Sequence, residues 1–90
     1  MMDLAHSIKT ELEKLEELEA ATNVYECQYT RDPENEAFEQ AYDNAYKAEH
    51  AQGEKVKDLI IKATKCDRKT AHSMLYGKRE KLNDLCNRLA

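Results

Sequence analysis

The stretch Asp32-Pro33-Glu34 decides the fold that this sequence predicts. Aspartate is favoured just before a helix, proline at its first position, and glutamate near the positive end of the helix dipole. Proline also disfavours helical geometry in the residue before it, so a preceding helix should stop at Asp32. Because the connection is this short, the helices on its two sides are expected to run antiparallel.

The residues before this connection predict a first helix over about 4–31. Asp3 is suited to cap its start. Apolar residues then recur at steps of three and four, which place them on one stripe of a helix. The members of this stripe are Leu4, Ile8, Leu12, Leu15 and Leu18, followed later by Val24, Tyr25 and Tyr29.

The residues after the connection predict a second helix over 33–64 and a third over about 67–89. Asp67 is suited to cap the third helix, and Gly77 either splits it or lies within a single bent helix. Two glycines and one proline in 90 residues also favour helices over sheets. We therefore expect an all-α fold, an antiparallel three-helix bundle that forms one domain over residues 1–90.

The end of the hairpin near Asp32 should protrude as two helices, because the third helix is shorter than the second. Its large apolar residues are Val24, Tyr25, Tyr29, Phe38, Tyr42 and Tyr46. Two helices cannot bury so many rings, so some are expected to form a binding patch for a second copy or another protein. The alternative is that the rings pack on each other and seal the hairpin.

Charge is divided along the chain. Residues 1–54 carry 4 basic and 14 acidic residues, a net charge of −10, whereas residues 55–90 carry 10 basic and 4 acidic residues, a net charge of +6. This division predicts an acidic hairpin over residues 1–54 and a basic end over residues 55–90 with different partners, or head-to-tail attraction between copies. The alternative is that these charges only solvate the helix surfaces.

The sequence contains no pattern typical of an enzyme, metal or cofactor site. Its three cysteines form no C-x-x-C pair, its histidines are scattered, and no glycine-rich loop is present. No apolar run approaches the roughly 18 residues needed to cross a bilayer. We therefore expect a cytoplasmic, non-enzymatic protein with reduced thiols, no cofactor and no membrane partner.

The acidic hairpin predicts a function in protein binding. Small acidic helical proteins are frequent in phages and mobile elements, where they inhibit nucleic-acid-handling proteins by occupying a basic groove; this chain is similar in type to anti-CRISPR proteins. The predicted protein-binding residues are Glu13, Glu16, Glu17, Glu19, Tyr25, Tyr29, Phe38, Tyr42 and Tyr46. The glutamates would mimic phosphates. A structural bundle subunit is the alternative in which no such surface exists.

A second function is suggested by residues 60–78. They read Ile60-Ile61-Lys62-Ala63-Thr64-Lys65-Cys66-Asp67-Arg68-Lys69-Thr70-Ala71-His72-Ser73-Met74-Leu75-Tyr76-Gly77-Lys78. This run resembles the helix-turn-helix of lactose-repressor-type bacterial regulators, which implies a homodimer that binds DNA. By that resemblance Arg68, Lys69 and Ser73 would face bases, with Lys62, Lys65 and Lys78 near phosphates. Lys65 departs from the pattern, because this turn position usually holds glycine.

Overall fold

The computed structural model describes residues 4–89, which form helices joined by short turns. Its elements are α1 (Leu4–Arg31), α2 (Glu36–Thr64), α3 (Arg68–His72), a π-helical turn (Ser73–Gly77) and α4 (Arg79–Leu89). The predicted all-α class is confirmed, since the described range contains no strand. The three-helix bundle is not confirmed, because the same range contains four α-helices, two of them long. The predicted cap Asp3 lies outside the described residues.

The connection between α1 and α2 is capped at a different residue from the predicted one. Asp32 still donates its backbone N–H to the carbonyl of Gln28 at 3.1 Å, so it closes the last turn of α1. The side-chain oxygen of Asn35 accepts hydrogen bonds from two backbone N–H groups at the start of α2, at 3.0 and 3.3 Å. The cap is therefore Asn35, and Pro33 lies in the turn. Asparagine and aspartate cap helices about equally well, so composition alone could not choose between them.

Contacts between α1 and α2 show that these helices run antiparallel. Beside the connection, Tyr29 contacts Tyr42. Farther away, the side-chain amide of Gln52 donates to the backbone carbonyl of Glu11 at 2.8 Å and to its carboxylate at 2.7 Å. Residues with higher numbers in α2 therefore contact residues with lower numbers in α1, so the two helices are antiparallel. The bond from Gln52 also lowers the pKa of the Glu11 carboxyl.

The apolar core lies at the end of the molecule far from this connection. Both long helices and the segment after them contribute to it. Its residues are Ile8, Leu12, Leu15, Val56, Ile60, Ala71, Leu75, Leu82, Leu85 and Cys86. Every buried residue in the described range falls within 5–22 or 53–86. We call residues 4–22 and 53–89 the bundle half.

The remaining residues, 23–52, form a two-helix arm in which no residue is buried. The arm helps to make the molecule 47 Å long, against 26 and 18 Å in the other two directions. Val24 and Tyr46, one on each helix of the arm, are each 55% exposed. The sequence predicted this protrusion from the shorter length of its third helical segment.

Residues 68–89, which we call the C-terminal segment, are split where the sequence placed a bend or a break. Asp67 caps α3 as predicted, because its carboxylate accepts a backbone N–H at 2.8 Å. The chain then widens into the π-helical turn, in which Lys78 donates its N–H to the carbonyl of Ser73 at 2.8 Å. Gly77 ends this turn, and α4 begins at Arg79. A single helix over 67–89 is therefore wrong, and the split at Gly77 is what occurs.

The C-terminal segment covers the seam between the long helices in the bundle half. α3 packs against α2, whereas α4 packs against α1. Arg79, at the start of α4, lies against Glu19, and Cys86, two turns later, lies near Lys9. α4 therefore runs antiparallel to α1. Cys86 is fully enclosed in the core, and this burial raises the pKa of its thiol.

Gly53 allows the π-helical turn to approach α2 closely. A Cβ atom on Gly53 would lie 2.1 Å from the hydroxyl oxygen of Tyr76, which is a clash, but 3.4 Å from the ring carbon Cζ, which is an ordinary contact. A Cβ atom on Gly77 would instead lie 3.8 Å from the hydroxyl of Ser73. The position of the Tyr76 hydroxyl therefore depends on glycine at 53.

Replacing Gly53 by Ala should help stability only when the Tyr76 hydroxyl is absent. Alanine is favoured over glycine in a helix by about 1 kcal/mol. Gly53→Ala should therefore stabilise the Tyr76→Phe variant by about that amount, and should lose this gain beside the wild-type tyrosine because the ring must move. Denaturant unfolding of the four proteins measures the difference. Gly77→Ala is the control, with equal effects expected in both backgrounds; equal effects of Gly53→Ala would contradict the contact.

Candidate interaction surfaces

Four aromatic side chains form a continuous row along the arm. Tyr29 of α1 contacts Tyr42 of α2 edge to face, with ring centroids 5.9 Å apart. The ring of Tyr46 lies 6.4 Å from that of Tyr42, and His50 lies 6.2 Å from Tyr46. Steps of four residues place the three members on α2 along one face of that helix. We call these four side chains the aromatic row.

The aromatic row leads directly to the place where the C-terminal segment begins to cover α2. Tyr46 and His50 line one shallow cleft together with His72 and Tyr76. The rings of His72 and Tyr76 lie 4.7 Å apart. Tyr76, which packs on Gly53, therefore bounds this cleft at the end of the row, and an open groove lies along the arm.

Carboxylates flank the aromatic row. The open groove is lined by Tyr29, Glu36, Glu39, Gln40, Tyr42, Asp43 and Tyr46. From α1, the carboxylate of Glu26 raises the pKa of Tyr42, with smaller contributions from partial burial and from Glu49. Residues 23–52 contain two basic residues, and one of them, Lys47, pairs with Asp43 at 2.9 Å. The open groove is thus both aromatic and anionic.

This combination of groups suits a cationic binding partner. An ammonium or guanidinium group over the face of a tyrosine gains about 0.5–2 kcal/mol. Carboxylates beside the ring can then accept charge-assisted hydrogen bonds from the same cation. Phosphate groups would be repelled by the carboxylates, so the groove itself is unsuited to nucleic acid.

The acidic residues that were predicted to bind a partner do not lie beside the aromatic row. Glu13, Glu16 and Glu17 are exposed on α1, but they lie in the bundle half. Glu19 is engaged within the protein, because its carboxylate accepts hydrogen bonds from Arg79 at 3.0 and 3.2 Å. A partner of Glu19 would therefore compete with Arg79, and the predicted role of Glu19 as a phosphate mimic stays a prediction. The roles of the other three also stay predictions.

The predicted aromatic residues all lie in the arm, but not all in the row. Tyr29, Tyr42 and Tyr46 belong to the row, and Tyr46 is the most exposed of them. Tyr25 and Phe38 are half-buried. The rings are thus partly exposed to solvent. The rings of Tyr29, Tyr42 and Tyr46 line the anionic groove.

The carboxylates beside the aromatic row were not predicted from the sequence. Glu39 and Asp43 are four residues apart, as are Tyr42 and Tyr46, so two neighbouring stripes run along α2. This spacing was readable from the sequence. The proximity of Glu26 to Tyr42 was not, because it depends on the register of α1 against α2.

Arg68, a predicted base-contacting residue, is held against α2. Its guanidinium donates to the carboxylates of Glu54 and Asp58, both at 2.6 Å, and the bond to Asp58 is the main cause of its raised pKa. Glu54 also pairs with the buried Lys57, whose ammonium nitrogen lies 3.4 Å from Nδ1 of His72. The role of Arg68 at DNA bases stays a prediction, and it would require these ion pairs to open.

Lys65, which takes the turn position in the helix-turn-helix resemblance, ends α2. This residue has φ 59° and ψ 25°, in the left-handed region where glycine is favoured. Its N–H donates to the carbonyl of Ile61 at 2.7 Å. α3, which follows, has only five α-helical residues before the π-helical turn. The helix-turn-helix resemblance stays a prediction.

Basic side chains gather in a groove bounded by α3, the π-helical turn and α4. Its cationic residues are Lys69, Lys78, Lys81 and Arg88, and its acidic residue is Asp84. Cys66, Met74 and Leu85 give the groove an apolar floor. We call this the basic groove; the sequence did not single out Lys81 or Arg88.

Three of the six residues predicted to contact DNA share one groove. Lys69, Ser73 and Lys78 line the basic groove. Lys62 lines a separate small cleft beside Ser7 and Thr10 of α1. With Arg68 held by α2, the set is divided, and DNA binding stays a prediction that rests on the basic groove alone.

Comparison with known proteins gives no guide to these surfaces: no protein-family model, curated protein or solved structure matches the chain. Residues 4–89 contain no group of three His, Cys, Asp or Glu side chains arranged to hold a metal ion. None of the helices in this range combines the length and apolar character that crossing a membrane requires.

Replacing Glu26 by Gln should lower the pKa of Tyr42 toward the ordinary tyrosine value of about 10. The carboxylate of Glu26 is the largest cause of the raised value, because a nearby negative charge disfavours the phenolate. Ultraviolet absorbance of the phenolate during a pH titration measures the change. Glu34→Gln, elsewhere in the arm, is the matched control. An unchanged titration in Glu26→Gln would place Glu26 away from the row.

Replacing Lys65 by Gly should stabilise the protein by about 1 kcal/mol, because glycine adopts the left-handed conformation without a steric penalty. Lys65→Ala removes the charge but keeps the penalty, so it should leave stability near the wild-type value. Thermal unfolding of the three proteins separates the two effects. A gain in Lys65→Ala equal to that in Lys65→Gly would show that charge, not backbone strain, is responsible.

Proposed function

We propose that this chain is a small non-enzymatic binding protein that inhibits a nucleic-acid-handling protein by occupying its basic surface. The working surface is the open groove of the arm, with its aromatic row and flanking carboxylates. One observation carries the proposal: rings and carboxylates share a face of a two-helix arm in which no residue from 23 to 52 is buried. Within one copy these rings stay partly exposed, and a bound partner would bury them further.

The aromatic row supplies the apolar part of such an interface. Tyrosine is enriched among the residues that dominate binding free energy, since its ring is large, rigid and amphipathic. Tyr46 is 55% exposed, so a partner can still cover about half of it. Burial of apolar surface contributes roughly 25 cal/mol per Å². The ring of Tyr42 contacts that of Tyr46, and the ring of Tyr29 contacts that of Tyr42.

The flanking carboxylates select the kind of partner. Proteins that bind nucleic acid hold phosphates with Lys and Arg, and these side chains pair with carboxylates as well. Glu39 and Asp43 beside the row, with Glu26 across the groove, present negative charge together with aromatic faces. A protein bound there would exclude nucleic acid by competition. In this respect the chain is similar in type to anti-CRISPR proteins of phages and mobile elements.

Affinity capture from a lysate of the cell in which the protein acts tests the proposal. The wild type should retain a nucleic-acid-binding protein that added duplex DNA releases. Tyr42→Ala combined with Tyr46→Ala should weaken retention by more than about tenfold, because it removes two aromatic anchors. Glu39→Gln combined with Asp43→Asn should also weaken it and should reduce its dependence on salt.

Glu34→Gln combined with Glu80→Gln is the matched control, because it removes two charges from exposed carboxylates that do not line the open groove. This variant should retain the partner at the wild-type level. Loss of the partner in Glu13→Gln combined with Glu17→Gln, with retention in both arm variants, would place the working surface on α1 of the bundle half. Equal retention by all variants would contradict the proposal.

A further inference from the structure

The basic groove carries charge that the protein itself does not neutralise. In the bundle half, Arg68, Arg79 and Lys57 each pair with carboxylates. Within the described residues, no ion-pair partner within 4.0 Å is found for the four cations of the basic groove, Lys69, Lys78, Lys81 and Arg88. With Asp84 as its one acidic lining residue, the groove has a net positive charge that suits an acidic occupant.

The floor of the basic groove narrows the choice of occupant. Cys66 and Met74 are half-buried and Leu85 is buried, and all three face the space between the cations. A bare phosphate backbone would cover this apolar floor with charged groups. An amphipathic helix with small apolar residues next to its carboxylates would instead fill the floor and pair with the rim.

α1 carries a stripe that has this composition. Glu13, Glu17, Ala20 and Val24 follow each other at steps of four, three and four residues, so they lie along one face of the helix. All four are exposed, and this face is opposite to the buried Leu15. Val24, which lies in the arm, is 55% exposed, so its apolar side chain is open to a partner. We call these four residues the outer stripe.

We propose that the basic groove of one copy binds the outer stripe of a second copy. The carboxylates of Glu13 and Glu17 would pair with the lysines of the rim, and Val24 would cover part of the apolar floor. When a twofold axis relates the two copies, each copy supplies its groove to the stripe of the other, and the contact closes as a dimer. The contact uses neither Tyr42 nor Tyr46, so it is independent of the proposed function.

Sedimentation with exchange of charges tests this contact. The wild type should form a species of twice the monomer mass at low salt and dissociate when salt is raised to about 1 M, where the screening length is about 3 Å. Lys78→Glu combined with Lys81→Glu should be monomeric, and so should Glu13→Lys combined with Glu17→Lys. An equimolar mixture of these two variants should associate again, because the reversed charges attract. Circular dichroism of each variant confirms that it is folded.

Three outcomes would overturn the proposal. The wild type could remain monomeric at low salt, or the mixture of folded charge-reversed variants could remain monomeric. The wild type could also remain monomeric while retarding duplex DNA in a gel, with Lys78→Glu combined with Lys81→Glu abolishing the shift; the occupant would then be nucleic acid. Tyr42→Ala combined with Tyr46→Ala should associate like the wild type, so failure of self-association and failure of partner capture are distinguishable.

Discussion

The C-terminal segment is too short to cover the seam between α1 and α2 along its whole length, and the rest of the structure depends on this limit. The two long helices have 28 and 29 residues, whereas α4 has 11. At about 1.5 Å per residue, α4 spans roughly 16 Å of a seam more than twice that length. Full burial requires packing by a third element, because two helices alone leave their facing side chains partly exposed to solvent. The core therefore ends where the segment ends, and the arm is a consequence of helix lengths.

Charge follows the same division between bundle half and arm. Ion pairs form where the segment meets the long helices, as at Arg79 with Glu19 and at Arg68 with Glu54 and Asp58. These pairs fasten the C-terminal segment to both helices, although exposed pairs contribute little each. The charges left over are segregated: carboxylates remain along the arm and α1, and lysines remain around the basic groove. A small protein with little core keeps this segregation at low cost, since most of its charged groups stay hydrated.

Much of the fold was predictable because it depends on local chemistry. The all-α class, the hairpin, the cap at Asp67 and the break at Gly77 follow from helix propensity, capping and glycine content, all of which act within a few residues. What was not predicted concerns choices between neighbours or contacts across the fold. Asn35 and Asp32 are equivalent caps by composition, and only the geometry of the connection selects Asn35. The partners of Arg68 depend on how the C-terminal segment lies across α2, which no pattern within the segment specifies.

The boundary between covered and open groove is fixed by particular contacts, so the open groove is a specified feature and not a frayed end. Tyr76 rests on Gly53, the first residue of α2 beyond the arm, and no other residue type leaves room for its hydroxyl. On the other side of the groove, Arg79 bonds to Glu19 and also donates to the carbonyl of Leu75 at 3.0 Å, which satisfies a backbone oxygen near the break before α4. The covering segment can therefore neither slide toward the arm nor withdraw from it without losing a close contact. Tyr76 consequently forms an end wall for the open groove, and a partner lying along the aromatic row would meet this wall as well as the row.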